Sequence, residues 1–196
     1  MRREQPVTGL HEVSVHSSPD LLERAVAIIR QAGYLTLATV NPAGAPWAAQ
    51  LQYAWFASPL SLVVGSHVAT RHSTDIAVTH QAAAAVSLLP GMPEGPDGLQ
   101  VAGRCTALAG PALAERVAYF YRQMHPDPAK ASELALRPEQ LSGDAMLRLY
   151  ELRMEEVWIL DLDRWAHEQI SDRVQLDPQA VSEALRRATS PEYAQR

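Results

Sequence analysis

A chain of 196 residues that is 47% hydrophobic is long and apolar enough to bury the core of one domain without covalent staples. Its formal charge of −5 and single lysine, Lys130, argue against a nucleic-acid or anionic-membrane surface, so any anion site must use Arg, His or backbone N–H groups. One cysteine, Cys105, excludes an internal disulfide or a multi-cysteine metal knot; no apolar run approaches the roughly 20 residues of a membrane span, and residues 1–6 precede no apolar signal core, so the expected location is cytoplasmic.

After a polar leader over 1–18, Ser18 and Pro19 supply an N-cap and a first helical residue. Leu21, Leu22, Ala25, Val26, Ile28, Ile29 and Ala32 then recur at helical spacing until Gly33 stops them. From Tyr34 to Val40 the residues are β-formers, and Asn41-Pro-Ala-Gly44 is a turn into a second strand over Trp47–Phe56. Alternation puts Trp47, Ala49, Leu51, Tyr53 and Trp55 on one face, with core packing their default role, and Ala48, Gln50, Gln52 and Ala54 on the other. Ser58-Pro59 turns the chain into a third strand ending at Ser66, and a helical segment follows from about Thr70 to His80.

Two further strands, Ala82–Leu89 and Gln100–Leu108, flank the Pro/Gly-rich stretch Pro90–Gly98, which reads as a flap-like hairpin connection. Gly110-Pro111 opens an amphipathic helix that carries Leu113, Val117, Phe120, Tyr121 and Met124 and stops at His125-Pro126. A helix-tending linker runs to Gly143, Met146 to Leu162 reads as a long or broken last strand, and Asp177-Pro178 caps a terminal helix. This order predicts an α+β protein, an antiparallel closed or split β-barrel over 19–165 with flanking helices and a helical extension over 166–196. A β-sandwich with appended helices is the alternative.

The stretch with chemical content is Val64–Ile76, which passes from a strand end into a helix start. With Thr70 as N-cap, the N–H groups of Arg71, His72 and Ser73 are first-turn donors, and the helix dipole favours an anion there. Ser66 and Thr70 add hydroxyls, Arg71 a planar fork, and His72 a second positive charge once a phosphate dianion raises its proton affinity. The residues alone read first as a plain helix start capped by Thr70, with Arg71 and His72 in solvent. His67, His72 and His80 have no metal-ligand spacing, and adjacent Glu155 and Glu156 point to opposite faces of a strand, so neither set is assigned chemistry.

Taken together, the first helix, the Leu-Ala-Thr-Val strand, the Asn-Pro-x-Gly turn, a third strand ending in Ser, and Thr-Arg-His-Ser resemble the pyridoxamine 5′-phosphate oxidase-like FMN-binding split barrels over about 20–108, and more loosely over 146–162. The resemblance implies that Ser66, Thr70, Arg71 and His72 hold the FMN phosphate. It also implies that Ala49, Gln50, Leu51 and Gln52 line the isoalloxazine ring, and that two subunits enclose the flavin between them. The true oxidases carry basic residues on the second strand where this chain has Gln50, Gln52 and Trp55, and their substrate-holding Arg and His have no counterpart here. The implied protein is therefore an FMN-dependent oxidoreductase on another substrate, with no catalytic residue assigned and no metal. Alternatives are a haem- or deazaflavin-binding split barrel, or a dimeric sensor or storage module without the cofactor.

Overall fold

The computed structural model describes residues 15–88, 97–168 and 170–190; the leader up to residue 14 and most of the Pro90–Gly98 stretch lie outside them. In chain order the elements are β1 (Val15–His16), α1 (Pro19–Gln31), β2 (Tyr34–Val40), β3 (Pro46–Ala57), β4 (Leu60–His67), α2 (Arg71–Thr79), β5 (Gln81–Ser87) and β6 (Gly98–Ala107). There follow α3 (Gly110–Met124), α4 (Pro128–Leu134), a 3₁₀ turn (Pro138–Leu141), β7 (Leu147–Arg153), β8 (Glu156–Leu160), α5 (Leu162–Glu168), β9 (Arg173–Leu176) and α6 (Pro178–Thr189).

Six strands close into a barrel in the order β6-β5-β2-β3-β4-β7, with β7 pairing back onto β6; β8, β9 and β1 extend the sheet from β6. This is the antiparallel α+β barrel expected from the element order. Closure depends on strands that serve two neighbours. Residues 46–52 of β3 pair with β2, and Tyr53–Ala57 pair with β4. Likewise β6 pairs with β8 through Leu99–Ala102 and with β7 through Cys105–Ala107. Ala102 faces Glu156 and Cys105 faces Leu152, so two residues of β6 oppose three between β7 and β8, which is a β-bulge. Gly103 sits in that corner, where an added Cβ would lie 2.1 Å from the carbonyl oxygen of Arg153.

The long or broken last strand expected over 146–162 is the broken one, two strands joined at the bulge. The expected helical extension over 166–196 differs, because β9 joins the sheet and Leu176, Val181 and Leu185 are buried in the main core. A four-residue strand carries too little periodicity to show locally. The main core fills the barrel and the space beneath α1 and α6, while a second core of Ala54, Val63, Leu149 and Leu113 lies between the outer sheet face and α3.

Polar contacts fix the helices to this frame. The Tyr53 hydroxyl donates to the Ile29 carbonyl at 2.8 Å, which ties β3 to the end of α1. Buried Glu151 accepts from Ser61 and from Arg116 of α3, so the charge inside the second core is paired. At the β3 edge the side-chain amide of Gln123 accepts from Trp55 N (3.1 Å) and donates to Trp55 O (2.8 Å), replacing a missing strand neighbour. No described helix is long and apolar enough to cross a membrane.

Two glycine substitutions separate the bulge from ordinary packing. Gly103→Ala is expected to lower unfolding free energy by about 1–3 kcal/mol, the cost of forced backbone displacement. Gly65→Ala, whose Cβ would meet Phe120 at 3.5 Å, is expected to change it by less than ~1 kcal/mol. Urea denaturation of both checks this, and equal effects would refute the role assigned to the bulge.

Candidate functional site

The β3–β4 ladder ends at Tyr53 opposite Val64. Continued in register it would set Leu51 against Ser66, but β4 beyond Val64 pairs only with β7. The two strands part at the barrel mouth, which leaves the outer edge of residues 46–52 unladdered on one side and Ser66 on the other. Into this mouth the chain inserts α2. Its position is pinned by a buried hydrogen bond from Thr39 of β2 to Asp75, at 2.8 Å.

The start of α2 gathers hydroxyls and an imidazole. Ser66 Oγ lies 2.7 Å from His72 Nε2 and 3.1 Å from Thr70 Oγ1. Thr70 Oγ1 lies 3.0 Å from His72 Nε2, 2.8 Å from Ser73 Oγ and 3.0 Å from the His67 carbonyl. Thr70 occupies the N-cap position, yet its side chain does not cap; it turns into this cluster instead. The first backbone bond of the helix is Thr74 N to Thr70 O, so among the described residues the N–H groups of Arg71, His72 and Ser73 find no acceptor. Three open donors at the positive end of a helix dipole, next to two hydroxyls, are groups of the kind that can cradle an anion.

His72 is only 6% exposed, and burial holds its pKa below the ordinary histidine value, with the Asp75 carboxylate pulling the other way. At neutral pH the ring is therefore uncharged, and its Nε2 shares hydrogen bonds with the Ser66 and Thr70 hydroxyls, which can donate or accept to suit either tautomer. Arg71 is exposed and turned sideways. Its guanidinium donates to the Pro46 carbonyl at 3.2 Å and lies 4.8 Å from the Trp47 ring centroid, in cation–π range.

Of the predicted site residues, Ser66, Thr70 and His72 meet directly, and Arg71 stands beside them on the rim. Ala49 and Leu51 point to the barrel interior and are half-buried, whereas Gln50 and Gln52 point to the open outer face of the sheet. Trp47 shares the inward face of Tyr53 but is 42% exposed, because it lies at the mouth; there the expected core packing gives way to stacking under Arg71. The sequence reading missed Thr39, Asp75 and Ser73 as the supports of the cluster. A buried Asp one helical turn beyond Arg71 was the available signal, but its partner lies 36 residues away. It also missed Arg173 of β9, whose Nη1 is buried without a partner among the described residues.

The chain matches the family model described as pyridoxamine 5′-phosphate oxidase over residues 21–161. No functionally curated protein matches it. Among solved structures it is similar to a haem-binding protein from Mycobacterium smegmatis, with 18% identity, a TM-score of 0.63, and coverage of 85% of this chain and 61% of that one. The chain thus spans about three fifths of that protein's length. It is also similar to a haem storage protein from Vibrio cholerae, with 16% identity, a TM-score of 0.53, and coverage of 74% and 95%. A pyridoxamine 5′-phosphate oxidase-related, FMN-binding protein from Nostoc punctiforme matches with 19% identity, a TM-score of 0.50, and coverage of 76% and 86%. At these identities the likeness is one of fold.

The buried neutral imidazole sets a pH dependence. Its folded pKa lies below the unfolded one, so on acidification the unfolded chain binds the proton first, and stability is lost as pH falls below the ordinary histidine value of about 6.5. Thermal melts of the unliganded protein from pH 7.5 to 5.5 are expected to show a falling midpoint. That fall shrinks in His72→Gln; identical slopes in the two proteins would refute a buried, neutral His72.

Proposed function

Because the chain belongs to the pyridoxamine 5′-phosphate oxidase family, as the match over residues 21–161 shows, we propose that it is an FMN-binding flavoprotein, a homodimeric oxidoreductase acting on a substrate other than pyridoxamine phosphate. The observation that carries this reading is the cluster of hydroxyls and open N–H groups at the start of α2, where β3 and β4 part. A single phosphate needs a few convergent donors, and the Ser66 and Thr70 hydroxyls stand with the free N–H groups of Arg71, His72 and Ser73 at one spot. Arg71 has only to leave the Pro46 carbonyl to add a bidentate fork. The unladdered edge of β3 from Ala49 to Gln52 offers backbone donors and acceptors of the kind that orient a flat heteroaromatic ring. The flavin itself would supply the electron or hydride transfer; the chain's residues bind and orient it and exclude water.

A second copy of the chain is the proposed cover for the open sheet face. Gln50, Thr36, Ala85, Gln100, Trp158 and Gln175 stand side by side across it, next to a row of Ala48, Ala38, Ala83 and Ala102. Tyr34 and Val40 on the same face are exposed. A recess of about 750 Å³ lies here, lined by Pro46, Ala38, Ala83, Ala102, Arg104 and Glu156 among others, so it shares Pro46 with the Arg71 site.

Haem is the second reading. It draws on the two similar structures named for haem and on exposed His67 at the mouth.

Absorbance separates the readings, with flavin expected at about 450 nm and haem at about 400 nm. FMN added to apo-protein is expected to lose fluorescence, and Arg71→Ala to weaken binding by about 1.5–3 kcal/mol, the range for a charged hydrogen bond. A protein that takes up haem but no FMN would favour the second reading, and one that takes up neither would refute both. For the dimer, Ala85→Arg in the centre of the open face is expected to give monomers by light scattering. A wild-type monomer, or an unaffected dimer in the variant, would refute the proposed face.

A further inference from the structure

We infer that Arg148 of β7 is a second permanent cation of the proposed anion cradle, a role that no sequence motif marks and that rests on the phosphate reading above. Arg148 stands directly opposite Ser66 in the β4–β7 ladder. Residues so paired share a sheet face, with Cβ atoms about 5 Å apart. That face is the inner one: Val64 and Tyr150, the next pair on it, belong to the main core, whereas Gly65 and Leu149 between them meet Phe120 of α3. The guanidinium of Arg148 thus hangs from the same patch of barrel wall as the Ser66 hydroxyl. The Ser66 hydroxyl in turn touches both Thr70 and His72.

Its present contacts leave its charge available. Arg148 donates to the carbonyl oxygens of Gly143, Ala145 and Leu147, and it makes no ion pair with any described residue. Carbonyls position a guanidinium without neutralising it. The segment that supplies them lies at the mouth, since Val68 N donates to the Met146 carbonyl at 2.8 Å. Arg71 is held in the same way, on the Pro46 carbonyl.

Charge balance gives Arg148 its task. A bound phosphate monoester brings nearly two negative charges beside the buried carboxylate of Asp75, while His72 in the free protein is neutral and β3 offers only Gln50 and Gln52. Arg71 leaves that site negative even when the phosphate protonates His72. Arg148, exchanging a carbonyl for a phosphate oxygen, forms the stronger charge-assisted bond and takes the part that a basic residue on β3 would otherwise have.

The test compares FMN with riboflavin, which has the same ring and no phosphate, by fluorescence titration of wild type, Arg148→Gln and Arg148→Lys, each first shown to be folded by circular dichroism. Arg148→Gln is expected to weaken FMN binding about 10- to 100-fold, the range for a hydrogen bond to a charged group, and to leave riboflavin within about twofold. Arg148→Lys is expected to recover part of the loss, and the salt dependence of FMN binding should flatten in Arg148→Gln. An unchanged FMN affinity in Arg148→Gln would overturn this inference and leave the FMN reading standing. An equal loss for both ligands would reduce Arg148 to a support of the 143–145 segment and overturn it as well. Failure of the wild type to bind FMN would overturn the reading and the inference together.

Discussion

Each β-strand has two edges of backbone donors and acceptors, and how β4 divides its own decides most of this structure. From Ser61 to Val64 it is flanked by both β3 and β7; from Gly65 to His67 it keeps only β7. Barrel closure needs the β7 pairing, because β7 is the strand that returns to β6. The departure from β3 leaves the mouth. Had the β3 ladder run on, Leu51 would meet Ser66 and α2 would find no mouth to enter. Closure and opening are thus two results of one exchange of hydrogen-bond partners, and the twelve-residue length of β3 lets it follow β2 after β4 has gone.

The mouth would be an expensive place for polar groups if they were not satisfied. Ser66, Thr70, His72 and Ser73 answer one another, and the cluster carries no formal charge while His72 is neutral. Asp75, the one buried charge on α2, is turned to Thr39 and anchors the helix. Positive charge stands at the periphery. Both nearby guanidiniums, Arg71 and Arg148, rest on neutral carbonyl oxygens rather than on carboxylates. Two cations held by neutral carbonyls beside an uncharged cluster keep their charge available, which is what the proposed anion recognition requires.

Elements whose signals are local were legible in the sequence. The α1 stripe, the hairpin through Asn41 to Gly44, the strand ending at Ser66 and the Thr70-Arg71-His72 helix start each follow from periodicity or turn chemistry within a dozen residues. What escaped is set by partners far along the chain. The β6–β7 closure, the bulge at Gly103 and the parallel pairing of β1 with β9 leave no trace in a window of sequence. Site residues divide in the same way. Ser66, Thr70 and His72, which meet in the fold, stand within seven consecutive positions, whereas Thr39 and Arg148 come from other strands by register. Trp47 shows a subtler limit: alternation gave its face correctly, but depth along the barrel axis is not encoded in a period of two.

The alanines of the open sheet face have a thermodynamic side. An alanine has no rotamers to lose, so a surface built from Ala38, Ala48, Ala83 and Ala85 gives up almost no side-chain entropy when something flat is laid on it. A lysine- or glutamate-covered face would lose rotamer freedom at each contact. Such a face selects by flatness and close approach of backbones, with its few amides left to fix the angle.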